Sequence, residues 1–430
     1  MRIRVYIEPF RKALRPILQM VKEPYKPKDR RQYGGSVPRG ITLTARMNEL
    51  TATASSGDVV AEMRITKADL PNLGYRCLQQ GSLSPQEPYF QKVLRTVYTQ
   101  DPIIIASGKG VVRITPDSDA GWIRTFPQVC DPAVPTIPRD LPVFAYVHTK
   151  YLCKAIQPVL FALPKKCGDP YSYLLLCISN GRILAIAGDG KLHAIHEVAG
   201  PGIAGGKRVE ILLHRNDLAI LPKVLAGMTG TEMALCGTPS VRESWPLVFR
   251  QDGALLLTPA LTNRGRYPYL TTCFEGDYAY TLLTPLSMWR YVVGSPHARA
   301  AADEPLVRVH LDARRGRLLV QHGERLRSHT SIPYDYATAR PHSEVIAATE
   351  KHSPTWDCRT RNIQALVAHG RPGDTIALQW GLNTPASEGT GAAPVTQENL
   401  LIRYPRRTPK DLQATYQLSL VFPRVPDESL

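Results

Sequence analysis

No stretch of the 430 residues approaches the run of ~20 consecutive apolar residues that a membrane-spanning helix requires. Cysteine is sparse: eight residues, at 77, 130, 153, 167, 177, 236, 273 and 358, with no C-x-x-C pair and no regular spacing. That pattern argues against a zinc site or a disulfide frame and for reduced, half-buried thiols. The opening MRIRVYIEPF lacks the apolar block and small-residue cleavage site of a secretory signal, and it alternates like a strand, so it reads as part of the fold. A globular cytoplasmic protein is the expectation. Acidic residues are in short supply as well, 37 against 53 Lys and Arg, for a net charge of +16. A chain this basic suits polyanions, of which nucleic acid is the commonest in a cell.

Catalytic signatures are missing. In AGPGIAGGKRVE the phosphate-loop pattern fails, because Pro201 stands where the first glycine is needed and Arg208 where a magnesium-holding Ser or Thr belongs. Gly108-Lys109-Gly110 reads as a turn between strands. Neither H-E-x-x-H nor G-x-S-x-G occurs, and HAIHE, residues 193–197, has the wrong spacing for helical zinc ligands and sits in a strand. No enzyme activity, cofactor or metal is therefore expected. Base-reading elements such as a zinc finger or basic zipper are absent too.

What the chain does contain is a repeat. ITLTARMNELTATASSGDVVAEMRI (41–65), LLLCISNGRILAIAGDGKLHAIHEV (174–198) and VRVHLDARRGRLLVQHGERLRSHTSI (307–332) each read as strand, tight turn, strand, polar turn, strand. Leu50, Ile183 and Leu318 are equivalent in this alignment and fall 133 and 135 residues apart, the size of one small domain.

Helix candidates flank each block. Phe10, Leu14, Ile17, Leu18 and Val21 draw one apolar stripe, and Leu152, Ile156, Val159, Leu160 and Leu163 repeat its offsets. Each stripe carries a proline at the same register, Pro16 and Pro158, which suggests a shared bend. The third such helix is expected over Leu283–Val293. Behind the blocks, helices are expected over Tyr89–Tyr98, Asp217–Met228 and Arg361–His369. The predicted architecture is α+β, three repeats of helix, strands, helix, strands, divided as 1–138, 139–268 and 269–430. Two polar inserts, Lys22–Arg39 and Asn383–Gln397, read as loops.

Basic residues recur on these helices off the apolar stripes: Arg11, Lys12, Arg15 and Lys22, then Lys92 and Arg95, Lys150 and Lys154, Lys223, and Arg361. On one helix such a run is usually a solvated face. Three like units joined in an arc would make it a continuous surface that meets phosphates without reading bases, with about −0.9 in log–log salt slope for each phosphate neutralised.

The order of these features resembles the beta sliding clamp of bacterial DNA polymerase III. MRIRVYIEPFRKALRPILQMV is similar to that family's opening strand and helix, AIAGDGKLHAI (185–195) to its middle-domain A-T-D-G-H-R-L-A segment, GRYPYL (265–270) to its G-R-F/Y-P-D/E-Y segment, and SLVFPRV (419–425) to its closing strand. The resemblance implies three clamp domains, a head-to-tail homodimeric ring around duplex DNA, and docking of the polymerase, the clamp loader and other client proteins through short peptides. It also implies a peptide groove from Tyr171, Gly188, Gly190, Lys191, Leu192, His193, Tyr267, Pro268, Phe422, Pro423 and Arg424. The chain departs from the pattern: Gly188 replaces the threonine, Lys191-Leu192-His193 replaces His-Arg-Leu, and PDESL runs past the usual end. The alternative reading is a clamp-fold DNA-binding accessory or regulatory protein that never closes into a ring.

Overall fold

The computed structural model describes residues 1–20, 40–56, 58–65, 70–97, 99–118, 121–129, 136–164, 171–179, 181–188, 192–200, 203–206, 208–228, 231–239, 244–263, 267, 278–294, 306–312, 317–322, 328–333, 335–336, 355–368, 370, 373–382, 400–403 and 416–422. Both polar inserts, together with Lys22, Gly190, Lys191, Pro268, Pro423 and Arg424, lie outside these residues. Among the described residues no helix is long and apolar enough to cross a membrane.

Each repeat opens with a strand: Arg2–Val5, Val143–His148 and Tyr278–Pro285. Each opening strand pairs antiparallel with the strand after that repeat's second helix, Ile103–Gly108, Glu232–Cys236 and Thr375–Leu382 respectively. Two more strands extend the ladder, ending at Arg124–Pro127, Ala254–Thr262 and Tyr416–Phe422.

The three-strand blocks read from the sequence form as expected: Gly40–Arg46, Glu49–Ser56 and Val59–Ile65; Tyr173–Ser179, Arg182–Gly188 and His193–Ala199; Leu306–Asp312, Arg317–His322 and Ser328–Pro333. Leu50, Ile183 and Leu318 occupy the same place in all three. Each is the second residue of the middle strand and stands between an apolar residue of either neighbour: Ala45 and Ile65, Ile178 and Val198, Leu311 and Ile332. All nine are buried. The period-two alternation fixes this register, because a slip of one residue would turn every such side chain to the opposite face.

The helices differ from the expected spans for identifiable reasons. The first is two helices, Ile7–Ala13 and Arg15–Met20, broken at Leu14. Pro16 has no N–H for the Lys12 carbonyl and sits instead in the first turn of the second helix, where that loss costs little. In the middle repeat the helix Thr149–Ile156 passes into a 3₁₀ helix, Gln157–Ala162, with Pro158 again in its first turn. Each shared proline thus starts a new segment. The third helix begins at Leu286 rather than Leu283, because Leu283–Pro285 belong to the opening strand opposite Thr375–Ala377. Asp217–Met228 is two short helices, Arg215–Leu218 and Leu221–Gly227, the second with Pro222 in its first turn. The remaining two run Glu87–Thr96 and Thr360–Ala368. The stripe residues Phe10, Leu14, Ile17, Leu152, Ile156, Val159, Phe90, Leu94, Leu218, Leu221, Leu225, Ile363 and Leu366 are all in the core.

The chain divides into two compact units, Met1–Cys153 with Gly202–Lys207 and Leu213–Thr262, and Lys154–Pro201 with Arg208–Leu212 and Asn263–Leu430. Inside the first unit, Val59–Ile65 pairs with Ala254–Thr262. Inside the second, His193–Ala199 pairs with Tyr416–Phe422. Both junctions follow one rule, in which the third strand of a block takes the last strand of the following repeat as its neighbour. Among the described residues a five-stranded sheet ends at Arg76–Gln79 and Arg124–Pro127, and a four-stranded one at Thr355–Arg359 and Ser328–Pro333.

Candidate functional site

The expected groove residues come from three distant chain segments, and the second unit gathers the described ones. Tyr171, half-buried, has its ring 5.9 Å from that of His193 and 6.5 Å from that of Tyr267, edge-on to the latter. His193 and Leu192 are buried and Tyr267 is wholly so. His193 stands directly opposite Val421, which brings the closing strand with the Phe422 backbone alongside. Three chain segments thus converge on one aromatic cluster, of which Tyr171 is the half-buried member. The side chain of Phe422 is outside what is described.

Gly188 and His193 are cross-strand partners. A Cβ on Gly188 would meet His193 Nδ1 at 2.1 Å and the Leu192 carbonyl oxygen at 2.7 Å, so the imidazole fills the space a side chain at 188 would need. A side chain at 188 would therefore have to displace the His193 ring and the Leu192 carbonyl.

Tyr267 is held by residues that the sequence reading did not single out. Its backbone N–H donates to Asn263 Oδ1 at 3.1 Å, Asn263 Nδ2 donates to Glu210 Oε2 at 2.9 Å, and Glu210 pairs with Arg208 at 2.8 Å. Only the asparagine just before the Gly-Arg-Tyr segment hinted at this; Glu210 is 53 residues away and carries no local signal.

The helical cations fall mainly in the first unit. Lys12, Arg15, Lys92, Arg95, Lys150 and Lys223 are exposed, and Arg11 is half-buried, 4.0 Å from Glu8. Their helices are packed against one another. Gln91 Nε2 donates to the Leu18 carbonyl at 3.0 Å, joining the Lys92 helix to the Arg15 helix. Pro16 lies against Gly227, where a Cβ would come within 3.0 Å of its ring, which joins the Arg15 helix to the Lys223 helix. Cys153 Sγ approaches the Pro222 carbonyl at 4.0 Å and adds the Lys150 helix. Lys150 Nζ sits 5.2 Å over the Tyr151 ring. Beside it, burial and then Lys150 hold the His148 imidazole below its ordinary pKa. Lys154 is exposed and belongs to the second unit, as does Arg361, whose side chain is not described. Among the described residues no His, Cys, Asp and Glu group could hold a metal ion.

No protein-family model matches the sequence, and no curated protein matches it. Solved structures do. A DNA polymerase sliding clamp from Bacillus subtilis superposes with a TM-score of 0.72 at 13% identity over 99% of both chains. The fold is that of the bacterial sliding clamps. A clamp from Caulobacter crescentus gives 0.70 at 15% identity over 99% of this chain and 100% of that one. The DNA polymerase III beta subunit of Pseudomonas aeruginosa gives 0.69 at 12% identity with the same coverage. The expectation of a divergent sliding-clamp fold, α+β, is borne out along the full chain, at identities so low that the fold and not the sequence carries the likeness.

Proposed function

We propose that this chain is a DNA sliding clamp, which closes with a second copy into a ring around duplex DNA, holds a replicative polymerase on it, and docks client peptides in the groove at Tyr171, His193 and Tyr267. The supporting observation is the junction rule. Val59–Ile65 with Ala254–Thr262 and His193–Ala199 with Tyr416–Phe422 are the same connection made twice. A third turn of that rule would pair Ser328–Pro333 with an Arg124–Pro127 strand, and a second copy supplies one at each end. Closed head-to-tail assembly satisfies both edges, which otherwise offer unpaired backbone groups to any chain.

In this reading the division 1–138, 139–268 and 269–430 marks three clamp domains, and the exposed helical cations face the duplex. They neutralise phosphates without reading bases, as a sliding contact requires. The protein works in the cytoplasm, needs no cofactor and catalyses nothing, its role being topological linkage and recruitment.

After loading, the protein should stay on a nicked circular plasmid through gel filtration and run off the same plasmid once it is linearised. Equal loss from both would contradict encirclement and favour a clamp-fold DNA-binding protein that stays open.

A further inference from the structure

The five-stranded sheet of the first unit carries arginines that the helix-side contact cannot use. Along the opening strand Ile3 and Val5 enter the core, so Arg2 and Arg4 point outward. Arg76 on the neighbouring strand stands directly opposite Arg4. On the other side Arg2 faces Ala106, and Ala106 faces Arg113. Directly opposed residues are about 5 Å apart, and two strands separate Arg2 from Arg113 by about 10 Å.

Asp117 pairs with Arg4. Among the described residues no carboxylate pairs with Arg2, Arg76 or Arg113, all three exposed. Like charges directly opposite each other weaken an antiparallel ladder; Asp117 offsets Arg4, while the charges of Arg76, Arg2 and Arg113 stay on one outward face with no carboxylate against them among the described residues.

The sheet separates this cluster from the helical cations. The Lys92 helix packs on the opposite face, with Phe90 6.1 Å from Phe126, so a duplex lying against Lys92 and Arg95 does not touch Arg2 or Arg113. We infer that the outward sheet face is a second nucleic-acid site, which holds a phosphate backbone independently of the helix-side contact. Guanidinium groups match phosphate oxygens in a two-pronged fashion. Ala106 stands between Arg2 and Arg113 and Ile104 between Arg4 and Thr115, and the Tyr6 ring nearby is engaged by the Arg4 guanidinium at 6.0 Å, so the phosphates and not the bases are what the face fits.

The test begins with the full chain carrying Arg11→Gln, Lys12→Gln, Arg15→Gln, Lys92→Gln, Arg95→Gln, Lys150→Gln, Lys154→Gln, Lys223→Gln and Arg361→Gln, which removes the helix-side cations among the described residues. Three labelled probes are titrated by fluorescence anisotropy at several salt concentrations: a 12-nucleotide oligothymidylate, a 12-base-pair duplex, and polyglutamate. At least one nucleic acid should still bind, with a log–log salt slope of roughly −2; which one distinguishes single-stranded from duplex backbone. Adding Arg2→Gln, Arg76→Gln and Arg113→Gln should weaken that binding at least tenfold, and Lys at the same three positions should restore most of it, with circular dichroism unchanged throughout. Loss of all nucleic-acid binding in the first variant, indifference to the arginine changes, or tighter binding of polyglutamate than of either nucleic acid would overturn the inference. Probes this short need no ring, so the outcome is separate from that of the plasmid experiment.

Discussion

The two repeat junctions share a backbone and differ in chemistry. Where Val59–Ile65 meets Ala254–Thr262, a small apolar cluster of Val60, Ile137, Ala234, Cys236 and Val248 is roofed by charge. Glu62, Arg64, Arg139, Glu232, Arg250 and Asp252 line an open cleft of about 520 Å³ there, with Arg139 paired to Glu62 and Arg64 to Glu49 at 3.2 Å. Where His193–Ala199 meets Tyr416–Phe422, the nearby packing is instead aromatic, with the half-buried Tyr171 ring against the buried His193 and Tyr267. The ladder joins the repeats in both places. Side chains decide that one junction carries paired charges in an open cleft and the other a largely buried aromatic cluster.

The sharpest way to break this comparison is to attack what the junctions have in common. Ile183→Ala, in the middle strand beside the aromatic junction, and Leu50→Ala, its counterpart beside the charged one, each remove a fully buried side chain. Each should cost about 2–5 kcal/mol in urea unfolding; a cost below ~1 kcal/mol at either position would deny the equivalence of the repeats.

Next in size is a carboxylate at the charged junction alone. Burial, and then Asp58 nearby, push Asp217 up to about 7, against a weaker opposing hydrogen bond from Thr258. The folded state therefore holds this proton more tightly than the unfolded chain does. Its contribution to stability is full below the unfolded carboxylate range, falls as pH rises from about 4 to about 7, and is lost above that. Urea unfolding at pH 5 and pH 8 should show wild type losing a few kcal/mol more than Asp217→Asn across that interval. Parallel pH profiles would show that the group is not buried as described.

A smaller effect belongs to the aromatic junction. Gly188→Ala should destabilise by about 1–3 kcal/mol through the clash with His193, and Gly188→Ala with His193→Ala should cost less than the sum of the two changes. Additive costs would separate the two residues. Smallest of all, Arg139→Ala breaks a half-exposed ion pair and should change stability by less than about 1 kcal/mol.

Much of this was legible in the chain. The period of 133 to 135 residues placed Leu50, Ile183 and Leu318 in one structural position, because strand register follows directly from alternating burial. The shared prolines were legible as well, although a stripe of apolar residues cannot tell a bent helix from two segments: Phe10 to Leu18 keeps its face across the break at Leu14. Tyr171, His193 and Tyr267 were found through resemblance and not through spacing. What stayed hidden depends on distant pairing. Nothing near Tyr267 announces Glu210, and nothing in MRIRV announces that Arg4 will face Arg76. The coupling of Gly188 to His193 needed the ladder that makes them neighbours.

Ring closure is tested most directly by negative-stain electron microscopy of the purified protein, with its mass in solution checked by light scattering. Particles with a central hole at twice the 47.7 kDa chain mass are expected, with the Arg124–Pro127 and Ser328–Pro333 edges paired between copies. A monomer with no hole, at concentrations where the protein binds DNA, would contradict closure and leave those edges to another partner.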